Sequence, residues 1–204
     1  MQTAQNMSEE AKIGEEDHLR ADLYALLSML LSSPPDAGVL ESLGQLEGDD
    51  SELGQGISAL ARLAKSTSAE DVEREYNALF IGLARGELLP YASYYLTGFL
   101  NEKPLANLRQ DMIRLGIEKG GDHSEPEDHI STLAEIMAGL IRGDFSAPIC
   151  LSVQREFFKA HVAPWAAHFF TDLEGAKGAA FYAPVGRIGR LFAEIEEQAF
   201  EMES

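Results

Sequence analysis

Glu75-Tyr76-Asn77-Ala78-Leu79-Phe80-Ile81-Gly82, followed by Leu89-Pro90-Tyr91-Ala92-Ser93-Tyr94-Tyr95 and later by Ser124-Glu125-Pro126-Glu127-Asp128-His129, is the stretch from which this fold is read. Val72, Tyr76, Leu79, Phe80 and Leu83 recur at helical spacing, so a helix that buries aromatics reaches a glycine and stops. A Pro/Tyr/Ser loop comes next, with a helical turn near Ser93. A further helix opens at Ser124, with acids in its first turn and one histidine.

Outward from this stretch the pattern stays helical. Leu19, Leu23, Leu26, Leu27, Leu30 and Leu31 predict an amphipathic helix from about Glu15, ended by Ser32-Ser33-Pro34-Pro35. Asp36 caps a short helix through Leu46, and Leu53 to Ala64 gives a third. Thr67 or Ser68 caps the helix that carries Tyr76. Pro104 opens a helix to Leu115, closed by Gly116, and Gly120-Gly121-Asp122 is a flexible connection. Ile130 to Ile141 forms the apolar face of the Ser124 helix, closed by Gly143. A long segment from Pro148 to Leu173, bent at Pro164, and a last helix from Lys177 to Met202 complete the chain. No run alternates strictly. The expected fold is all-α, a single globular bundle of roughly eight or nine helices spanning residues 15–204, after a disordered lead-in over 1–14.

Composition narrows the function. The net charge is −18 over 204 residues, which repels phosphate backbones and anionic lipid and attracts a basic partner. The same acidity also serves solubility. With the single cysteine Cys150, neither an internal disulfide nor a thiolate metal site can form, which suits a reducing cytoplasm. The N-terminus lacks a basic region followed by an apolar run, and Leu23 to Leu31 is too short to span a bilayer. No P-loop, Gly-x-Gly-x-x-Gly or Gly-x-Ser-x-Gly is present. No cofactor is expected.

Each candidate site has more than one reading. The acids at Glu125, Glu127 and Asp128 complement a helix dipole, at about 0.3–1 kcal/mol each, or form a rim that receives cations. Glu125 and His129 share a helical face, which leaves a third reading open, a metal-dependent hydrolase built on Glu125, Asp128 and His129. Tyr76, Leu79 and Phe80 are a core stripe or one wall of a groove. Tyr91, Tyr94 and Tyr95 are structural, or they offer flat amphipathic area to a peptide.

Together, Tyr76-x-x-Leu79-Phe80-x-Gly82, Pro90-x-x-Ser93-x-Tyr95 and Glu125-Pro126-x-Asp128-His129 resemble the TorD/DmsD/NarJ family of dedicated chaperones for molybdoenzymes, nearest its TorD side. A weaker aromatic pattern, Phe158 with His161 and Trp165 and then Phe181-Tyr182, extends the likeness over the chain from about Leu19. The resemblance implies an all-helical cytoplasmic protein, not an enzyme. It would bind the twin-arginine signal peptide and the body of a molybdopterin-containing oxidoreductase, and assist cofactor insertion before export. It assigns peptide binding to Tyr76, Leu79, Phe80, Pro90, Ser93, Asp128 and His129, and allows a monomer or a domain-swapped dimer hinged near Gly116 to Asp122. Tyrosines stand where the family's loop often carries tryptophan. A twin-arginine leader has two cations followed by an apolar run, so its receptor needs carboxylates beside an apolar groove. On this expectation Asp128 and Glu125 face the arginines, His129 orients the site, and Leu79, Phe80, Tyr91 and Tyr94 receive the apolar run.

Overall fold

The computed structural model describes residues 14–82, 86–118, 126–145 and 150–202. The lead-in, the Gly120-Gly121-Asp122 connection, Leu83, Ser124, Glu125 and Pro148 lie outside these residues. The helices are α1 Glu15–Ser32, α2 Ala37–Leu43, α3 Glu52–Ser66, α4 Ala69–Tyr76, α5 Ala92–Thr97, α6 Lys103–Leu115, α7 Ile130–Arg142, α8 Leu151–Phe157, α9 Ala166–Glu174 and α10 Tyr182–Met202. Among the described residues there is no strand, only an isolated antiparallel bridge between Tyr91 and His129. The all-α expectation holds.

Local chemistry sets the helix ends. Asp36, Ser51 and Ser68 each accept a backbone N–H from the first turn of α2, α3 and α4. Gly116 and Gly143 close α6 and α7 in the left-handed conformation that an L side chain resists. Helix α7 is buried along almost its whole length, from Ile130 to Ile141, and its main neighbour is α1. A helix that is apolar nearly all round belongs at the centre of a domain. Helix α10 packs on α9 and α3, and the α9 contact is close. A Cβ on Gly189 would overlap the Phe170 ring, and one on Gly186 the backbone of Glu174.

The structure departs from the sequence reading in several places: the short second helix ends at Leu43 rather than Leu46, the last begins at Tyr182 rather than Lys177, and two others differ more deeply. The Ser124 helix begins instead at Ile130, with His129 as its N-cap. Residues 126–129 cannot join it because their backbone is committed elsewhere. Ala92 N–H donates to Asp128 O at 2.9 Å and Ile130 N–H to Pro90 O at 2.9 Å. His129 is thus the cap of α7 and not a residue of its first turn, while Glu125 lies outside the described residues. The long segment up to Leu173 breaks into α8, a π-helical turn at Phe158–Val162, and α9. Pro164 lacks the N–H a continuous helix needs, and Trp165 leaves helical geometry at φ −148°, ψ −23°.

Helix α4 also runs into a π-turn, at Asn77–Ile81, closed by Gly82 N–H on Asn77 O at 2.7 Å. Such turns add a residue to the helical circuit and rotate the side chains beyond it. Here the turn carries Leu79 and Phe80 into the core, against Tyr76 and Tyr182.

A carboxylate-lined cavity where two distant segments meet

The Pro90–Ser93 loop and the Pro126–His129 turn lie side by side. Besides the two backbone bonds across them, Asp128 Oδ2 accepts the Ser93 N–H at 2.7 Å. Asp128 is therefore a side-chain cap for α5 delivered from a distant segment. It is 1 % exposed, and among the described residues its Oδ1 and the Ser93 Oγ have no hydrogen-bond partner. A buried polar oxygen left unpaired costs about 1–3 kcal/mol, so its persistence asks for a purpose.

His129 takes the next place. Its Nδ1 accepts the Ser131 N–H at 3.2 Å and lies 2.6 Å from Ser131 Oγ, capping α7, while its ring meets Tyr91 edge-on at 5.0 Å. Burial pushes its pKa down to about 4, so the ring is neutral at physiological pH. His129 orients the turn by hydrogen bonding and carries no charge there.

Asp128 lines a cavity of about 340 Å³ formed by α5, α6, α7 and the second π-turn. Leu96, Leu108 and Leu133 supply apolar wall, and Asp111, Asp128 and His161 supply polar wall. His161 stands on the Phe158–Val162 turn, its Nε2 is 2.8 Å from Asp111 Oδ2, and its carbonyl accepts the Trp165 indole N–H at 2.9 Å. Beside the cavity, Glu127 is buried and accepts both Nε and Nη2 of Arg109 on one oxygen, at 2.9 and 2.7 Å. From the cavity the chain continues past Leu96 to Phe99 and Leu100, and all three are exposed, Phe99 at 70 %.

The residues named from sequence divide accordingly. Pro90, Tyr91, Ser93, Asp128 and His129 come together, with Tyr94 next along the chain on α5. Tyr76, Leu79 and Phe80 are not among the residues that line this cavity. They are buried in the core, and Tyr76 donates its hydroxyl hydrogen to Leu31 O at 3.3 Å. Glu125 lies outside the described residues, so the hydrolase triad cannot be placed. Among the described residues no three His, Cys, Asp or Glu side chains gather as a metal site. No sequence pattern singles out Asp111, which lies inside an ordinary amphipathic helix. Glu127 is legible only as one of three acids that serve either a helix dipole or a cation-receiving rim.

The profile of the nitrate reductase delta subunit family matches residues 46–171. The chaperone protein TorD of Aliivibrio fischeri is 29 % identical over 200 residues, covering 87 % of this chain and 92 % of that protein. TorD of Vibrio cholerae is 26 % identical over 215 residues, covering 96 % of this chain and 97 % of that protein. A solved structure described as a redox enzyme maturation protein of Archaeoglobus fulgidus overlays with a TM-score of 0.59 at 24 % identity, over 91 % of this chain and 99 % of that one, and so supports the fold. These relatives carry the names of chaperones and not of enzymes. The chain belongs to the nitrate reductase delta subunit family, and with it to the TorD/DmsD/NarJ group of non-enzymatic chaperones.

Proposed function

We propose that this protein is a cytoplasmic chaperone that binds the twin-arginine signal peptide of a partner molybdenum-cofactor redox enzyme and assists that enzyme's maturation before export. The observation that carries the reading is Asp128, buried to 1 % exposure with one carboxyl oxygen unpartnered on the wall of a half-apolar cavity. A guanidinium presented there would satisfy that oxygen by a charge-assisted hydrogen bond in a partly dry setting, where such bonds are strongest. The exposed Leu96, Phe99 and Leu100 would take the apolar run that comes after the arginines, in place of the buried Leu79 and Phe80. The net charge of −18 would draw a cationic leader in and make capture weaken with salt. Among the described residues no helix is long and apolar enough to cross a membrane.

Calorimetric titration with a synthetic leader in Arg-Arg, Lys-Lys and Ala-Ala forms tests this reading. Binding that falls from the first form to the last is expected. Equal affinity for all three would remove arginine recognition from the function.

A further inference from the structure

Helix α6 places two of its own arginines on acids at the cavity, one on Asp111 in its wall and one on Glu127 beside Asp128. Arg114 Nη2 lies 3.0 Å from Asp111 Oδ1, while His161 holds the other oxygen of the same carboxylate. Arg109 grips Glu127, the residue before Asp128, through two N–H groups. Both guanidinium side chains are more than half exposed, at 53 % for Arg109 and 61 % for Arg114. An ion pair whose cationic partner stands in water is weakly held and readily exchanged. The acids are better fixed: Glu127 is buried, and Asp111 is pinned by a histidine that the π-turn at Phe158–Val162 carries to the cavity wall. Asp128, which lines the same space, has an oxygen with no donor among the described residues.

We propose that Asp111 and Glu127 are further carboxylates that receive the cations of the leader, and that Arg114 and Arg109 occupy those places in the free chain until the leader displaces them. This rests on the leader-binding reading above. Consecutive side chains of an extended peptide point to opposite sides, so two adjacent arginines need acids on two walls. Asp111 on α6 and Asp128 in the turn before α7 line the cavity, and Glu127 stands beside it as the neighbour of Asp128, so the acids are carried on two separate elements. The exchange is of like for like, guanidinium for guanidinium, so the acids stay paired throughout. That avoids the high cost of leaving a buried charge alone. His161 acts as a positioning residue for Asp111.

The consequence is unusual, because removing either arginine should tighten binding. Calorimetric titration of the full chain with the Arg-Arg leader is made for wild type, R109Q, R114Q, D111N, E127Q, D128N and R74Q. Arg74 pairs with Asp71 on α4, which contributes nothing to the cavity, so R74Q makes the same change in net charge elsewhere. R109Q and R114Q are each expected to bind about two- to fivefold tighter than wild type, D111N and E127Q more weakly, and R74Q close to wild type. H161Q, which keeps an N–H donor toward Asp111, is expected to retain affinity that H161F loses. R109Q and R114Q binding no tighter than R74Q would overturn the proposal. If wild-type binding is lost in D128N while the arginine variants match wild type, the chaperone reading stands and this inference alone falls. If wild type, R109Q and R114Q all fail to bind the leader, both fall.

Discussion

Asp128 reaches across 35 residues of chain to accept the backbone N–H of Ser93 at 2.7 Å. Together with the backbone bonds Ala92 N–H to Asp128 O and Ile130 N–H to Pro90 O, this bond joins the two segments on which the site depends, and it caps α5 from the turn that precedes α7. Cap loss costs about 0.5–2 kcal/mol in general. Asp128→Ala is therefore expected to lower stability in urea denaturation by about 1 kcal/mol or more. Asp128→Asn, which keeps an oxygen for the Ser93 N–H, is expected to stay close to wild type. The two variants thus separate the structural share of Asp128 from the share that needs its charge.

His129 makes stability depend on pH. Burial holds its pKa at about 4, below the ordinary 6.5 of the unfolded chain. Below pH 6.5 the unfolded chain gains a proton that the folded one refuses, so stability is full above that pH and declines as pH falls toward 4. The slope is at most about 1.4 kcal/mol per pH unit. His129→Asn preserves an N-cap acceptor for Ser131 and has no proton to take. Its urea midpoint is expected to change less than that of wild type between about pH 7 and about pH 5.5. An identical drop in both proteins would assign the acid sensitivity to other groups.

Glu75 ties the Tyr76 helix to the last one. Its two carboxyl oxygens accept the N–H groups of Ala180, Phe181 and Tyr182 at 2.8, 3.0 and 2.8 Å, at the start of α10 where the helix dipole favours an anion. Glu87 does the same for Lys177 and Gly178. Glu75→Ala leaves three donors to water or to nothing, at a cost of roughly 2–3 kcal/mol. Glu75→Gln, with one accepting oxygen, should fall between the two in thermal denaturation.

Arg20 and Glu196 form an ion pair between α1 and α10, at 2.7 and 2.9 Å, with the Tyr24 hydroxyl also donating to Glu196 at 3.0 Å. Glu196 is 1 % exposed. Removing one member of a buried pair costs about 3–5 kcal/mol because the other is stranded. Arg20→Met alone and Glu196→Leu alone are expected to be severe. The double variant is expected to be milder than their sum, a coupling measured by a double-mutant cycle in urea.

Most of the helices are legible in the sequence because their ends are written locally. Asp36, Ser68, Gly116 and Gly143 cap or stop where their chemistry says they should. The start of α7 is not, because Ser124 and the acids after it imitate a capped first turn. The backbone of 128–130 is instead paired with Pro90 and Ala92, a partner that no local pattern reveals. Tyr76, Leu79 and Phe80 carry a helical period whether they face a groove or a core, and the π-turn that settles their direction leaves no signature in spacing. Asp111 and His161 are 50 residues apart and meet only through the packing of α6 on the second π-turn. Neither residue type is unusual where it stands, so only the fold could bring them to notice.

Where a leader seats on the chain is read most directly by hydrogen–deuterium exchange of the full protein with and without the Arg-Arg peptide. Slowed exchange is expected in α5, along α6 from Pro104 to Asp111, and in the turn from Pro126 into α7, with Asn77–Ile81 unchanged. Protection confined to α1, α3 and α10, or centred on Leu79 and Phe80, would contradict a leader site built on Asp128.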